Sequence, residues 1–211
     1  MLENLPDVLG HVLRGQRAGL DKIAFHTVPL RAGTAAITVT SLEFADHAPI
    51  PQKYTADGEG VSPPLQWSGL PASTATVVLM VEDADSPTPH PLVNAIVVGL
   101  AVDETALAEG ALPGTDHPGA GHRVGLNSFL QAAWLPPDPP PGHGVHRYMF
   151  QVFALGHAAD FAASPGREAV LDALREHGLA SGCLIGTYQR ADTSVKSDDA
   201  APAFAGGTVA S

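Results

Sequence analysis

The chain has 211 residues, 45% of them apolar and 16% charged, which is enough for one domain with a sizeable core. Its 11 Lys and Arg residues against 22 Asp and Glu residues give a net charge of −11, which argues against nucleic acid and anionic membranes as partners. The single cysteine, Cys183, excludes an internal disulfide and an all-cysteine metal site.

The first predicted element is a short amphipathic helix within residues 5–17, in an N-terminal helical extension that covers residues 1–34. Its apolar positions recur at helical spacing: Leu5, Val8, Leu9, Val12 and Leu13. We expect this stripe to pack on the main body or on a partner, and a homodimer contact or a membrane surface is the alternative. No secretion signal or membrane-spanning stretch is recognised, so a cytoplasmic protein is expected.

From residue 35 the apolar residues follow the spacing of β-strands. Residues 36–40 alternate like a half-buried strand, and three near-continuous apolar runs indicate strands buried on both faces: 76–81, 95–100 and 148–154. Loops rich in proline and glycine separate them: 57–71, 83–94, 110–121 and 135–145. This pattern favours a β-rich sandwich or barrel.

The C-terminal part of the main domain, residues 35–191, contains one predicted helix at residues 165–178. Pro165 suits its first turn and Gly178 its end, and three residues form its apolar stripe: Val170, Leu171 and Leu174. Cys183 lies in an apolar run and is expected to be buried. Residues 192–211 have little apolar content and are expected to form a disordered tail.

Two loops collect ionisable residues where predicted strands end or begin. Residues 82–91 leave the strand at 76–81, and residues 139–148 lead into the strand at 148–154. Each loop on its own is typical of a solvated connection or a surface ladder of side chains. Their combination is more specific than either loop alone.

Together the loops resemble motifs of the phosphatidylethanolamine-binding protein family, which includes the Raf kinase inhibitor-like proteins. The family's Asp-Pro-Asp-x-Pro loop corresponds to residues 83–87, and its Pro-Pro-x-Gly-x-Gly-x-His-Arg-Tyr motif is intact at residues 139–148. Three further segments resemble the bacterial branch: 54–67, 125–129 and 186–190. The resemblance covers roughly residues 36–190 and leaves the N-terminal extension outside it.

The resemblance implies a mostly β fold, a sandwich of two antiparallel sheets with a short C-terminal helix. It also implies a pocket that binds a small anion, such as phosphate, a carboxylate or a phospholipid head group. Asp83 would orient a histidine, while His146 and Tyr148 would donate hydrogen bonds to the anion. The other implied ligand-binding positions are Pro87, Asn94, Pro139, Pro140, Gly142 and Gly144.

Hydrogen-bond chemistry agrees with such a site. A phosphate offers mainly acceptors, so its site needs donors such as imidazolium, phenol and backbone N–H groups. Asp83 is compatible with an anion if it keeps a neighbouring imidazole cationic. Asp85 and Arg147 are expected to form a structural ion pair that fixes the two loops relative to each other.

Two positions depart from the family pattern. Ala84 replaces the proline between the two aspartates, which loosens a turn but removes no ligand. Asn94 aligns with the family's pocket histidine, and its amide can donate a hydrogen bond but cannot become cationic. Loss of one charge-assisted hydrogen bond weakens anion binding by roughly 1.5–3 kcal/mol, unless the upstream His90 compensates.

The sequence therefore predicts an anion-binding protein that regulates a partner protein, without cofactor or metal and without enzymatic activity. A hydrolase or isomerase that uses Asp83 and His146 as acid and base is one alternative, although no nucleophile is evident. A second is an interaction protein with a vestigial pocket. A third is a metal site formed by Asp83, His143 and His146.

Overall fold

The computed structural model describes residues 7–28, 30, 37–114 and 119–190, and the tail predicted at 192–211 lies outside these ranges. Its α-helices are α1 (Asp7–Leu13), α2 (Ala24–Thr27) and α3 (Arg167–His177). Its strands are β1 (Thr38–Thr40), β2 (Leu65–Ser68), β3 (Thr76–Asp83), β4 (Leu92–Leu100), β5 (Ala106–Leu107), β6 (His146–Leu155) and β7 (Gly178–Tyr188). Two 3-10 turns lie at Leu20–Lys22 and Gln52–Tyr54.

The strands form two antiparallel sheets. One has the order β1-β2-β5 and the other the order β4-β3-β6-β7. The main core combines residues of both sheets, such as Trp67 from the first with Val81 and Phe150 from the second. The prediction of a mostly β fold with two antiparallel sheets and a short C-terminal helix is confirmed.

The second face of the four-stranded sheet packs against α2 and α3. Alternate residues of β3 point to opposite faces, so Leu79 joins the core between the sheets while Met80 joins Ala24 and Leu174 under the helices. Every residue of β3 is therefore buried. The near-continuous apolar run at 76–81 reflects this double coverage.

The sequence located some strands and missed others. Strands β1, β3, β4 and β6 lie where the apolar patterns predicted them, although β4 begins earlier, at Leu92. The predicted loop 57–71 was wrong in part because it contains β2, and β7 was not predicted. β7 contains several small residues. At one of them, Gly182, a Cβ atom would overlap the carbonyl oxygen of Ile37, so the close approach of residue 37 requires glycine there. Its strand structure comes from tertiary packing rather than from local propensity.

Both edges of the four-stranded sheet are covered by irregular backbone. Along β7, the amides of Ile37, His47 and Ile50 donate to the carbonyl oxygens of Ser181, Ile185 and Thr187. Along β4, residues 123–128 exchange backbone hydrogen bonds with residues 93–98. Few backbone groups of these edge strands are left for another chain.

The N-terminal extension contacts the main body through Gly10, which is buried and lies against Pro141. Of the stripe residues whose side chains the structure describes, Leu9 and Val12 are exposed, Val12 to 71%, and Leu13 is half-buried. Polar contacts after the helix set its orientation, as described below. No helix in the described ranges is long and apolar enough to cross a membrane.

Candidate functional site

The pairing of β3 with β6 brings the predicted site residues together. Asp83 at the end of β3 lies directly opposite Tyr148 near the start of β6, and His146 points to the same face as Tyr148. The Nδ1 atom of His146 lies 2.8 Å from Oδ2 of Asp83, and both side chains are buried. The other carboxylate oxygen of Asp83 accepts a hydrogen bond from the backbone N–H of Asp85.

A row of hydrogen bonds continues from this pair to the N-terminal extension. Nε2 of His146 lies 2.7 Å from Nδ1 of His143, and Nε2 of His143 lies 2.8 Å from the carbonyl oxygen of Leu13. The carbonyl oxygen of Gln16 is a second acceptor, 3.2 Å from the same nitrogen. His143 and His146 are completely buried.

Counting protons along the row defines its charge. The carbonyl oxygens only accept, so Nε2 of His143 carries a proton, and each of the two other bonds also needs one. Two neutral imidazoles supply two protons in total, so three bonds require one imidazolium opposite the Asp83 carboxylate. Burial and the neighbouring His146 lower the pKa of His143, which favours a His143 ring that carries one proton, on Nε2.

Asp85 connects the two loops on the other side of the site. Its carboxylate accepts two hydrogen bonds of 2.6 Å from the Arg147 guanidinium and one from the Arg147 backbone N–H. Arg17 of the extension adds an ion pair at 3.0 Å. Burial by itself would raise the pKa of Asp85, but the hydrogen bonds from both arginines outweigh it and lower the pKa.

Two polar atoms in the site region lack partners. The hydroxyl of Tyr148 and Oδ1 of Asn94 are buried and make no hydrogen bond within the described part of the chain. Burial, followed by the charges of Asp83 and Asp138, raises the pKa of Tyr148 well above its usual value, so the phenol keeps its proton. Asn94 uses one N–H to bind the carbonyl oxygen of Leu135 at 2.9 Å. Buried groups of this kind normally bind a ligand or water.

The predicted wall residues lie in the two loops that contain or flank these side chains. The carbonyl oxygen of Pro139 accepts a hydrogen bond from Arg190, and that of Pro140 accepts one from the His143 backbone N–H. Gly142 and Gly144 have φ angles of 75° and 102°, which favour glycine. Pro87 is half-buried in the loop after β3.

Comparison with known proteins decides the family. The family model described as phosphatidylethanolamine-binding protein matches residues 40–189. The chain belongs to this family. The resemblance seen in the sequence is thereby confirmed, and the match leaves the N-terminal extension outside.

Relatives and solved structures agree with this assignment. A UPF0098 protein of Methanothermobacter thermautotrophicus is 35% identical over 147 residues, which cover 70% of this chain and 95% of that protein. A phosphatidylethanolamine-binding protein homologue, CT736 of Chlamydia trachomatis, has a TM-score of 0.66 at 34% identity and covers 74% of this chain and 98% of its own. Escherichia coli YbcL has a TM-score of 0.67 at 26% identity, with coverages of 74% and 99%.

The metal alternative has no geometric support in this member of the phosphatidylethanolamine-binding protein family. The facing nitrogens of His143 and His146, 2.7 Å apart, leave no room for an ion with ordinary metal–nitrogen distances. Among the described residues, no group of three His, Cys, Asp or Glu side chains could hold a metal ion.

Sequence reasoning missed the cations that reach the candidate site from outside the residues matched by the family model. Arg14 donates two hydrogen bonds to the carbonyl oxygen of Gly142, and Arg17 reaches the carbonyl oxygens of His143 and Val145. The partners lie about 130 residues away in sequence, so no local pattern connects them. The available signal was two arginines just after a short helix in a chain with few cations.

Proposed function

We propose that this protein binds a small oxyanion, with phosphate as the simplest representative, and that binding regulates a partner protein. The observation that carries the proposal is the buried Asp83–His146 pair next to the unpartnered hydroxyl of Tyr148. This arrangement offers an imidazolium charge and a phenol donor in a desolvated place, which are the groups that an oxyanion needs. Family membership supports the same kind of pocket.

The proposed ligand is a group with two or more oxygen atoms that accept hydrogen bonds. Inorganic phosphate, a phosphorylated head group and a carboxylate share it. The shared imidazolium and the Asp83 carboxylate cancel each other's charge and Tyr148 is neutral, so these three groups provide hydrogen-bond donors but no net positive charge for a dianion. Asn94 adds an amide in place of a further cation.

Enzymatic use of the Asp83–His146 pair receives less support. Neither imidazole of the row is hydrogen-bonded to a serine, threonine or cysteine in the described part of the chain. The nearby Ser86 hydroxyl binds the Asp83 carbonyl oxygen and Thr88 instead. Burial raises the pKa of the Cys183 thiol to about 12, which keeps it protonated.

Titration of the labelled protein with phosphate, phosphoethanolamine and acetate, followed by NMR of backbone amides and histidine rings, tests the proposal. We expect saturable shifts at Asp83, His143, Gly144, His146 and Tyr148. The three ligands separate a preference for phosphate from one for a head group or a carboxylate. Absence of saturation with all three at tens of millimolar would disprove anion binding.

The variant His146→Gln should weaken phosphate binding by at least about tenfold, because it removes the group that shares its charge with the site. The matched control is His47→Gln, since the His47 side chain is 65% exposed and lies outside the row. Equal affinities of both variants would place the anion elsewhere. Circular dichroism of both variants checks that the fold is kept.

A further inference from the structure

Residues 10–19, here called the N-terminal strap, cross the two loops that form the candidate site. The backbone N–H groups of Ala18 and Gly19 donate to the carbonyl oxygens of Ser86 and Ala84 in the first loop. Arg14 binds Gly142 in the second loop. The strap therefore connects both loops across the site, and His143 and His146 are fully buried beneath it.

The strap presents to His143 the same kind of atoms that an oxyanion would present. Two carbonyl oxygens, those of Leu13 and Gln16, accept from the Nε2–H of His143 at 2.8 and 3.2 Å. This nitrogen is the end of the row that begins at Asp83. A phosphate or carboxylate that replaced the strap would offer two oxygens to the same donor.

The contacts that hold the strap are mostly polar, and they include the ion pair of 3.0 Å between Arg17 and the buried carboxylate of Asp85. They include the hydrogen bonds of Arg14, Arg17, Ala18 and Gly19, each worth on the order of 1 kcal/mol. The apolar side chains of Leu9 and Val12 are exposed, so they contribute little buried area to docking. Further along, backbone amides of Ala24 and Phe25 bind Glu82 and Gln151, which keeps the following segment anchored when the strap moves.

We propose that the strap is an intramolecular competitor of the anion: it docks on His143 in a closed state and leaves in an open state that binds the ligand. The inference rests on the proposed function, which supplies the ligand. His143 is the residue at which the two compete. Once the anion is bound in the open state, its negative charge draws the shared proton toward His143, so that an imidazolium N–H faces the anion while His146 keeps its bond to Asp83.

Gly10 offers a charge-neutral way to open the strap. A Cβ atom there would overlap the carbonyl oxygen of Pro141. Gly10→Ala favours the helix itself, so it displaces α1 from the loop without unfolding it. The matched control is Gly15→Ala, where a Cβ atom meets nothing within 4 Å.

The first experiment measures phosphate affinity of the full-length chain and both alanine variants by NMR titration. Because the apparent dissociation constant is the intrinsic one divided by the open fraction, Gly10→Ala should bind phosphate up to about tenfold more tightly than the wild type if the wild-type strap is docked about 90% of the time. Gly15→Ala should match the wild type. Equal affinity of all three proteins would overturn the strap inference and leave the proposed function intact. Absence of binding to all three would overturn the proposed function and, with it, competition by the strap.

A second experiment keeps the inference testable if Gly10→Ala folds poorly. Arg14→Gln removes a cation near the site, which by electrostatics alone would weaken phosphate binding. Release of the strap predicts tighter binding instead. In the wild type, saturating phosphate should also speed tryptic cleavage after Arg14 and Arg17, because linkage between strap and ligand is reciprocal. Weaker phosphate binding by Arg14→Gln or unchanged cleavage would contradict the inference.

Discussion

Replacement of Arg167 with methionine should lower the free energy of unfolding by about 3–5 kcal/mol, the usual effect of removing one partner from a buried ion pair. Glu82 is completely buried on the helix-facing side of β3, and its Oε1 accepts a hydrogen bond of 2.7 Å from Nε of Arg167. Its Oε2 accepts from the Ala24 backbone N–H and from Gln151. Methionine keeps the aliphatic length of arginine but leaves the carboxylate without a cation.

The same helix provides the control for this variant. Arg175 of α3 pairs with Asp172, and these side chains are 45% and 74% exposed. Arg175→Met should therefore change stability by at most about 0.5 kcal/mol. Urea unfolding followed by the fluorescence of the buried Trp67 and Trp134 measures both variants. The double variant Glu82→Gln with Arg167→Met should recover part of the loss, and equal midpoints of the two single variants would disprove the role assigned to Arg167.

Acidification should release the N-terminal strap. Burial, the charge on His146 and the nearby Arg17 lower the pKa of His143, while its bonds to Leu13 and Gln16 act in the opposite direction. A released His143 titrates near about 6.5, so above that pH it is neutral in both states and docking is fully favourable. As the pH falls below about 6.5, the released state binds more protons, and docking weakens by up to about tenfold per pH unit until the lowered pKa is reached.

The groups around His143 explain why a second proton is not tolerated. His146 faces it from β6 with Asp83 of β3 behind, and Arg14 and Arg17 lie on the strap side. The carboxylate of Asp83 is already balanced by the shared imidazolium, and that of Asp85 by Arg17 and Arg147. The facing nitrogens of His143 and His146 are 2.7 Å apart, so one of them must accept the hydrogen bond of the other. A second proton on His143 would leave both nitrogens with an N–H group, and this hydrogen bond would be lost.

Hydrogen exchange of the Ala18 and Gly19 amides reports on docking, since both donate to the loop after β3. Their protection factors, corrected for intrinsic exchange, should fall between about pH 7 and 5.5 by up to about tenfold per unit below 6.5. His143→Gln should remove this pH dependence, whereas the exposed control His47→Gln should keep it. Protection that stays constant in the wild type would rule out His143 as the switch.

The parts of this structure that sequence could predict are those with local or motif-based signals. The apolar runs of β3, β4 and β6 were recognisable because both faces of these strands are covered. The two loop motifs singled out Asp83, His146 and Tyr148, which the β3–β6 register brings together. Because side chains alternate along a strand, the predicted strand at 76–81 also implies that Glu82 and Asp83 point to opposite faces of the sheet.

Other features depend on distant backbone positions and have no such signal. The strap contacts carbonyl oxygens of Gly142 and Val145, and the carbonyl oxygen of any residue could serve. The apolar periodicity of α1 did not indicate that Leu9 and Val12 are exposed, or that Arg14 and Arg17 contact the second loop. Gly10 gains its importance only from the position of Pro141 in the folded protein.

The covered edges of the four-stranded sheet limit how another protein can associate with this chain. Strand addition needs a row of free N–H and C=O groups, and here residues 37–50 and 123–128 already bond to much of both rims. A partner that approaches this sheet is therefore restricted largely to side-chain recognition rather than strand addition. The segments that cover the two edges also prevent strands of other copies from pairing with this apolar sheet, which is the step that leads to fibrils at high concentration. Substitutions in residues 46–50 that detach them from β7 would thus create an aggregation hazard.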